Sequence, residues 1–555
     1  MSSNQRPQAN VGVGSLREAD DLEFTINEGW NLFQKHLPDD SVIDSEPFSF
    51  NADPLSGDGP YIINIPRYPD CFLDPSSLRL NGTVKIVHKK NNKIQAKLPE
   101  AAAEIPNPLA PFQVKFVPET DQATLTTNKT KSTAQLLTTN TLPFYNESTK
   151  TVDYLKIEHV QPDMERKLSK VVPVNMMCQA MWRDVEIKMN GLTVTKNANL
   201  EYPYKAMFET LLTYSPDALN THMKSEMWCP DDFEEMADYE DEGDNFFETK
   251  YAETKSFLLK EEQYSRNEEF DFSMQLHTEL NSINGFLLDD IAYQIKLLRN
   301  DPSFFLRTQN TADCTGQEGG QYTVEFTRLS VSGVFMKPSP SVREKIKKAM
   351  AHNDATYKTV RTSILTQQVM KGASSYLFNN IFSSDHLPDQ IFVAMVDMNA
   401  KNGDIGKDPF KFDHFNVNSI RLQVNNKSFP VEALTPNFEK NNYITAFKHL
   451  YENSSIKTNN VGLSITPLSF AHGNTIFGWD LNHDGCAGAH SNHSDLYGAA
   501  ALYLNFSKPL DQNICIIVAA VHRDYLTVDK WGRPDVISSY GIAKLFEDKK
   551  MAMPA

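Results

Sequence analysis

Residues 171–195 read VVPVNMMCQAMWRDVEIKMNGLTVT, which is a strand, a hairpin signal and the start of a return. Val185, Ile187 and Met189 alternate with Asp184, Glu186 and Lys188, the period-two pattern of a strand with one buried face. Asn190-Gly191 follows at once. Both residue types tolerate positive φ, so the pair is the strongest short signal for a two-residue hairpin.

Working outward, the same alternation recurs on both sides. Upstream, Ser77 to His88 (SLRLNGTVKIVH) places Leu78 and Leu80, then Val84 and Ile86, on alternate positions. Tyr61 to Ile65 is an apolar run closed by Pro66, and Pro47 to Phe50 alternates. Asp-Pro, Ser-Gly-Asp-Gly-Pro and Asp74-Pro75-Ser76-Ser77 supply turn chemistry between them. Downstream come Phe270 to Leu276, Ile291 to Leu297, Tyr322 to Phe326, Gln390 to Val396, Ser419 to Val424, Tyr503 to Phe506 and Ile514 to Val521. The last, ICIIVAAV, is apolar on both sides. Burial on both faces is expected of it, inside one barrel or between subunits.

Helical patterns are few. Tyr204 to Tyr214 carries Met207, Leu211 and Tyr214 on one stripe, and a short pattern runs from Glu28 to His36. Ser341 to Ala351 opens Ser-Val-Arg-Glu, which fits a capping box with Ser341 as N-cap and Glu344 at N3. Many short strands, few helices and two halves of similar size predict an all-β chain of two β-sandwich or jelly-roll domains.

The expected division has a flexible arm at 1–21, a first domain at 22–307, a linker at 308–320, a second domain at 321–540 and a tail at 541–555. The first domain contains an Ala/Thr/Asn/Pro-rich insert at about 99–170, read as an excursion from the barrel, and a dense acidic run at 231–244, read as a surface loop. The linker candidate, Thr308 to Gly320, is polar and Gly-containing.

Composition narrows the classes. With 555 residues, 40% hydrophobic and 10% aromatic, the chain has enough apolar matter for large cores, which excludes wholesale disorder. No apolar run approaches the roughly 18 residues needed to cross a bilayer, and the first residues hold no apolar signal region. The six cysteines are widely spaced with no CxxC pair, so reduced thiols are expected, and N-x-S/T matches such as Asn81 and Asn505 read as chance. A net charge of −17 with only short basic pieces, His88 to Lys90 and Arg343 to Lys348, argues against direct binding of nucleic acid.

Several blocks together resemble a known family. They are Phe72-Leu73-Asp74-Pro75-Ser76-Ser77-Leu78 leading into Val84-Lys85-Ile86-Val87, and Val172-Pro173-Val174-Asn175 through Asp184 to Gly191, ending in Tyr202-Pro203-Tyr204-Lys205 and Glu209-Thr210-Leu211-Leu212. The second half adds Lys337-Pro338-Ser339-Pro340-Ser341-Val342, Leu387-Pro388-Asp389-Gln390, Asp408-Pro409-Phe410-Lys411-Phe412-Asp413-His414, Leu434-Thr435-Pro436-Asn437-Phe438 and Phe477-Gly478-Trp479-Asp480-Leu481. In order and spacing, from roughly residue 45 to residue 535, the set resembles the double jelly-roll, hexon-like major capsid proteins of the Polinton/Maverick and adintovirus lineage of double-stranded DNA viruses. The resemblance implies two tandem eight-stranded jelly rolls with a few short helices and long inter-strand loops. It also implies pseudo-hexameric homotrimers that tile an icosahedral shell, contacts with neighbouring capsomers and with minor capsid or penton proteins, and a place in the virion after assembly inside the host cell. A viral attachment or carbohydrate-binding β-sandwich protein is the alternative.

No catalytic, cofactor-binding or metal-binding residue is expected. His472, His483, Cys486, His490 and His493 form the most tempting cluster, but their spacing matches no zinc finger and a single loop rarely supplies four convergent ligands. A Ser-His-Asp hydrolase would need a G-x-S-x-G elbow, which is missing. Gly12-Val13-Gly14 follows no strand, so it is not a phosphate loop, and Asp238 to Asp244 lacks calcium-loop spacing. Two interaction segments are expected: Met1 to Asp21 beneath a shell, tying neighbours together, and Gly541 to Ala555 docking a minor protein through Ile542, Leu545 and Phe546.

Overall fold

The computed structural model describes residues 41–53, 59–88, 93–95, 113–117, 122–126, 131–135, 141–146, 151–156, 171–195, 201–230, 260, 269–308, 322–382, 387–454, 461–482 and 497–538. The first half supplies β1 (Val42–Asn51), β2 (Tyr61–Ile65), β3 (Phe72–His88), β4 (Lys93–Gln95), β5 (Gln113–Val117), β6 (Gln122–Thr126), β7 (Lys131–Gln135), β8 (Thr141–Asn146) and β9 (Thr151–Lys156). It continues with β10 (Val171–Pro173), β11 (Trp182–Met189), β12 (Leu192–Thr193), β13 (Glu269–Met274), β14 (Tyr293–Arg299), β15 (Leu306–Thr308) and β16 (Tyr322–Pro338). The second half supplies β17 (Ala355–Val369), β18 (Ser375–Phe382), β19 (Gln390–Asp397), β20 (Val417–Val424), β21 (Lys427–Leu434), β22 (Ile476–Asp480), β23 (Ala500–Phe506), β24 (Ile514–Val528) and β25 (Pro534–Ser538).

Eight strands of each half make two sheets. In the first half they pair as β1-β16-β3-β13 and β12-β11-β14-β2; in the second, as β17-β24-β19-β22 and β18-β23-β20-β21, with β25 added beside β24. Numbered by their order within each half, both barrels pair strands one, eight, three and six in one sheet and two, seven, four and five in the other. The permutation is identical. Every pairing within these sheets is antiparallel. The sheets of the first barrel meet through Trp182 of β11, which stacks on Phe326 of β16 at 5.6 Å, while Tyr61 of β2 packs edge-on to both.

Antiparallel order also sorts the connections by end. The links from strand two to three, four to five and six to seven lie at one end of a barrel, with the start of strand one and the finish of strand eight. The long links from three to four and five to six lie at the other. Both barrels point the same way. At the short-turn end, Asn190 Nδ2 donates to Gly532 O at 2.8 Å; at the long-loop end, Arg307 meets Asp408 at 3.2 Å.

Several expectations change. Tyr322 to Phe326, expected to open the second domain, belongs to β16, which lies between β1 and β3 of the first barrel. The barrels are joined by the helix Pro340–Met350, and all but the first residue of the expected linker 308–320 lies outside the described residues. That helix is capped at Ser339, not Ser341, with Pro340 setting the first helical φ and no side-chain cap bond. Asp74-Pro75-Ser76-Ser77 does not end a strand. Asp74 Oδ1 accepts from Ser76 N inside β3, where the register with β16 shifts between Ser332 and Val334. Within the expected insert, β5, β6 and β7 pair with one another and with β4, and β8 pairs with β9. The arm 1–21, the helix 28–36, the acidic run 231–244 and the tail 541–555 lie outside the described residues.

Candidate functional site at the junction of the barrels

The helix Tyr202–Thr213 leaves the first barrel between β12 and β13 and lies against the second. Ala206, Met207, Phe208, Leu211 and Leu212 favour a helix, and ten of its 12 residues are buried. A helix buried on nearly all sides is packed between layers. Its floor is the outer face of the β17-β24-β19-β22 sheet, where Phe392, Ala519 and Val521 face Phe208 and Leu212 across a cavity of about 510 Å³. Ile514, Ile516 and Val518 fill the second barrel's own core from the opposite face of β24. The two-sided burial read from ICIIVAAV is therefore met within one chain.

Aromatic rings seal the long-loop end of the junction. Tyr204 packs edge-on to Phe304 of the first barrel at 6.0 Å and to Phe410 of the second at 5.9 Å, and Phe208 lies 5.4 Å from Phe412. Burial holds the Tyr204 phenol well above its usual range, and it pushes the Cys515 thiol up to about 11.

Charged groups run through the same layer. Lys205 Nζ meets Glu279 Oε1 at 3.0 Å, with side chains 3% and 7% exposed. One helical turn on, Glu209 Oε2 meets His277 Nδ1 at 2.7 Å. Burial opposes the charge on both helix residues, and their partners overcome it. Lys205 is held above its ordinary range by Glu279 and Glu209, and Glu209 is held below its own by Lys205 and His277. Those two pairs lie within the first barrel; three polar contacts here cross to the second: Lys401 with Glu201 at 2.8 Å, Val360 N donating to Ser282 Oγ at 2.9 Å, and Tyr357 OH donating to Phe286 O at 3.2 Å. His277 lines the cavity, and its Nε2 has no hydrogen-bond partner among the described residues.

Such a layer does mechanical work. Pairing across a dry junction fixes register, because sliding the barrels would strand the buried Arg307 and Asp408 and part Lys401 from Glu201. Of the residues weighed for metal, only His472 lies within the described residues, exposed where the helix Pro467–Ala471 ends. His483, Cys486, His490 and His493 lie outside them. Cys71, Cys178 and Cys515 are free, buried cysteines. No described helix is long and apolar enough to cross a membrane.

No family model matches the chain. The uncharacterised protein F54H12.2 of Caenorhabditis elegans is 22% identical over 316 residues, 56% of this chain and 68% of that protein. A chain from the structure of the Sputnik virophage superposes with a TM-score of 0.50 at 12% identity, covering 100% of this chain and 97% of that one. The fold is a double jelly roll. The mavirus major capsid protein is similar over 98% of this chain and 99% of its own, at 10% identity and a TM-score of 0.44. The double jelly roll read from the sequence is thus the fold the chain adopts.

Sequence reasoning placed the helix at 204–214 and missed the junction. Glu279, His277 and Asp408 lie 74, 68 and 101 residues from their partners, and no local pattern signals such pairs.

Proposed function

We propose that the chain is the major capsid protein of a double-stranded DNA virus or virus-like element of the Polinton/Maverick and adintovirus kind, with a structural role and no catalysis. The observation that carries this reading is the identical eight-strand permutation, repeated side by side and pointing the same way in one chain. Three such chains give six equivalent barrels around one axis, a block that tiles an icosahedral face.

The open side of the first barrel supports the ring. In the second barrel, the outer face of the one-eight-three-six sheet is covered by the first barrel's helix. Among the described residues, no helix covers the matching face of the first barrel: Arg79, Asn81, Thr83 and Lys85 of β3 are half-buried, and β1 is exposed along most of its length. In a closed ring, that face receives the second barrel of the next chain, as closed rotational symmetry requires. Minor capsid or penton proteins complete the shell, and assembly takes place inside the host cell.

Light scattering coupled to gel filtration tests the reading. The expected particle has a mass of about 190 kDa, three times the 62.8 kDa chain, and a pseudo-hexagonal outline in negative stain. A stable monomer at high concentration, or a dimer, defeats it.

A further inference from the structure

In a chain of net charge −17, one surface runs the other way. It lies at the short-turn end, where β16 finishes and β17 begins. The connecting helix Pro340–Met350 buries none of its residues and carries Arg343, Lys345, Lys347 and Lys348 against a single carboxylate, Glu344. Val342, Ile346 and Met350 form its half-buried stripe, which leaves Lys345, Lys347 and Lys348 exposed. Asp70 pairs with Arg343 at 2.6 Å, and Glu344 with Lys348 at 2.8 Å.

Beside this helix stands an apolar element that a solvated face does not need. The register Ala355↔Val528 sets the hairpin between β24 and β25 next to the turn that follows the helix. At its tip Trp531 is 68% exposed, with Lys530 Nζ 4.3 Å and the Arg533 guanidinium 5.8 Å from its ring. Asp529 is turned inward, accepting from Trp531 N and Arg533 N. Ile43, at the start of β1, is 60% exposed at the same end. Cations interleaved with exposed apolar side chains match an acidic, amphipathic partner.

The chain itself contains a segment of that character. Residues 18–40 read EADDLEFTINEGWNLFQKHLPDD, with seven carboxylates against one lysine and with Leu22, Phe24, Ile26, Trp30, Leu32, Phe33 and Leu37 between them. The segment joins the fold at the edge of the cationic surface, because Ser41 O accepts from Ser339 N, the cap of the helix, at 2.8 Å. A tether that short gives an effective concentration on the order of millimolar, enough for contacts that are weak one by one. We infer that residues 18–40 dock on the surface formed by the helix Pro340–Met350 and the Trp531 hairpin, carboxylates to lysines and apolar side chains against Trp531 and Ile43. A nucleic acid offers no counterpart for the aliphatic groups, and the tethered segment is always present.

The full-length protein tests this by zero-length carbodiimide coupling, which joins carboxylates to lysines in direct contact. Couplings are expected from Asp20, Asp21, Glu23 or Glu28 to Lys345, Lys347, Lys348 or Lys530. Lys345→Glu with Lys347→Glu is expected to raise the rate of cleavage by a glutamate-specific protease at Glu23 and Glu28 by about tenfold, because each lost ion pair weakens docking by a modest factor. Adding Asp20→Lys, Asp21→Lys and Glu23→Lys is expected to restore slow cleavage at Glu28. Couplings confined to lysines elsewhere, or cleavage indifferent to the charge reversal, would overturn the inference. So would short duplex DNA or phosphatidylglycerol vesicles that bind equally well with and without residues 18–40, since the segment would then not cover the surface. Light scattering on the same samples keeps the capsid reading separate: trimers with an undocked segment sink only this inference, and docked monomers sink only the other.

Discussion

Lys205 holds a charge where almost no water reaches it, and its two carboxylate neighbours make that tolerable. Lys205→Met leaves Glu279 and Glu209 short of a cation in a dry layer, and removing one partner of a buried pair costs about 3–5 kcal/mol. The expected result is a lower urea midpoint, largely recovered when Glu279→Leu is added. Glu209 gives a pH signature. Its carboxyl titrates below its ordinary 4.5, so its contribution is complete above that value and is lost as the pH falls through the folded pKa. Lys205 titrates above its ordinary 10.5, so its contribution is complete below that value and is lost as the pH rises past it. Comparing wild type with Glu209→Gln should therefore show a stability difference that is constant near neutrality and narrows as the pH drops below about 4.5. A difference that widens in acid would mean that burial, and not the Lys205 and His277 partners, governs this carboxyl.

At the scale of strands, both barrels use the same packing device. Gly82 of β3 pairs with Phe272 of β13, and Gly478 of β22 pairs with Phe392 of β19. Both pairs join strands three and six of their barrels, with the two residue types exchanged. A Cβ on Gly82 would lie 2.4 Å from the Phe272 ring, and one on Gly478 would lie 2.8 Å from that of Phe392. The bare backbone lets each ring lie flat across the strand beside it. Gly82→Ala and Gly478→Ala are each expected to cost about 1–3 kcal/mol by overpacking. Pairing Gly478→Ala with Phe392→Leu should cost less than the two changes summed, as a double-mutant cycle in urea would show. Sequence pattern made the strands legible, because alternation needs only neighbouring residues. It also made the Asn190-Gly191 turn legible, and both residues have positive φ, 48° and 84°. The glycine and phenylalanine pairs were not legible, since each joins residues brought together only by sheet register.

For the whole molecule, the decisive fact is where β16 goes. Its alternation was readable, yet it was expected in the second half because it follows a polar, Gly-containing stretch. Nothing local in Tyr322 to Pro338 says that it must return between β1 and β3, and only the closure of the first barrel requires it. With β16 in place, the two barrels match strand for strand, and in the proposed ring the next chain would sit on the outer face of the first, which no described helix covers. Thr83 lies on that face, its hydroxyl donating to Asp271 Oδ1 at 2.7 Å, and Arg79 lies on the same strand with its guanidinium on Ser76 O and Leu78 O. Thr83→Arg with Arg79→Glu changes size and charge where a packed neighbour would sit, without entering the core lined by Leu80 and Val84. Surface changes away from a core shift stability by about 0.5 kcal/mol or less, so the isolated fold should keep its urea midpoint. An interface core that gains bulk and an unpaired charge loses far more, so the expected species in light scattering is a monomer of 62.8 kDa. Trimers that persist with both substitutions would place the contact between chains on another face and break the equivalence of the six barrels.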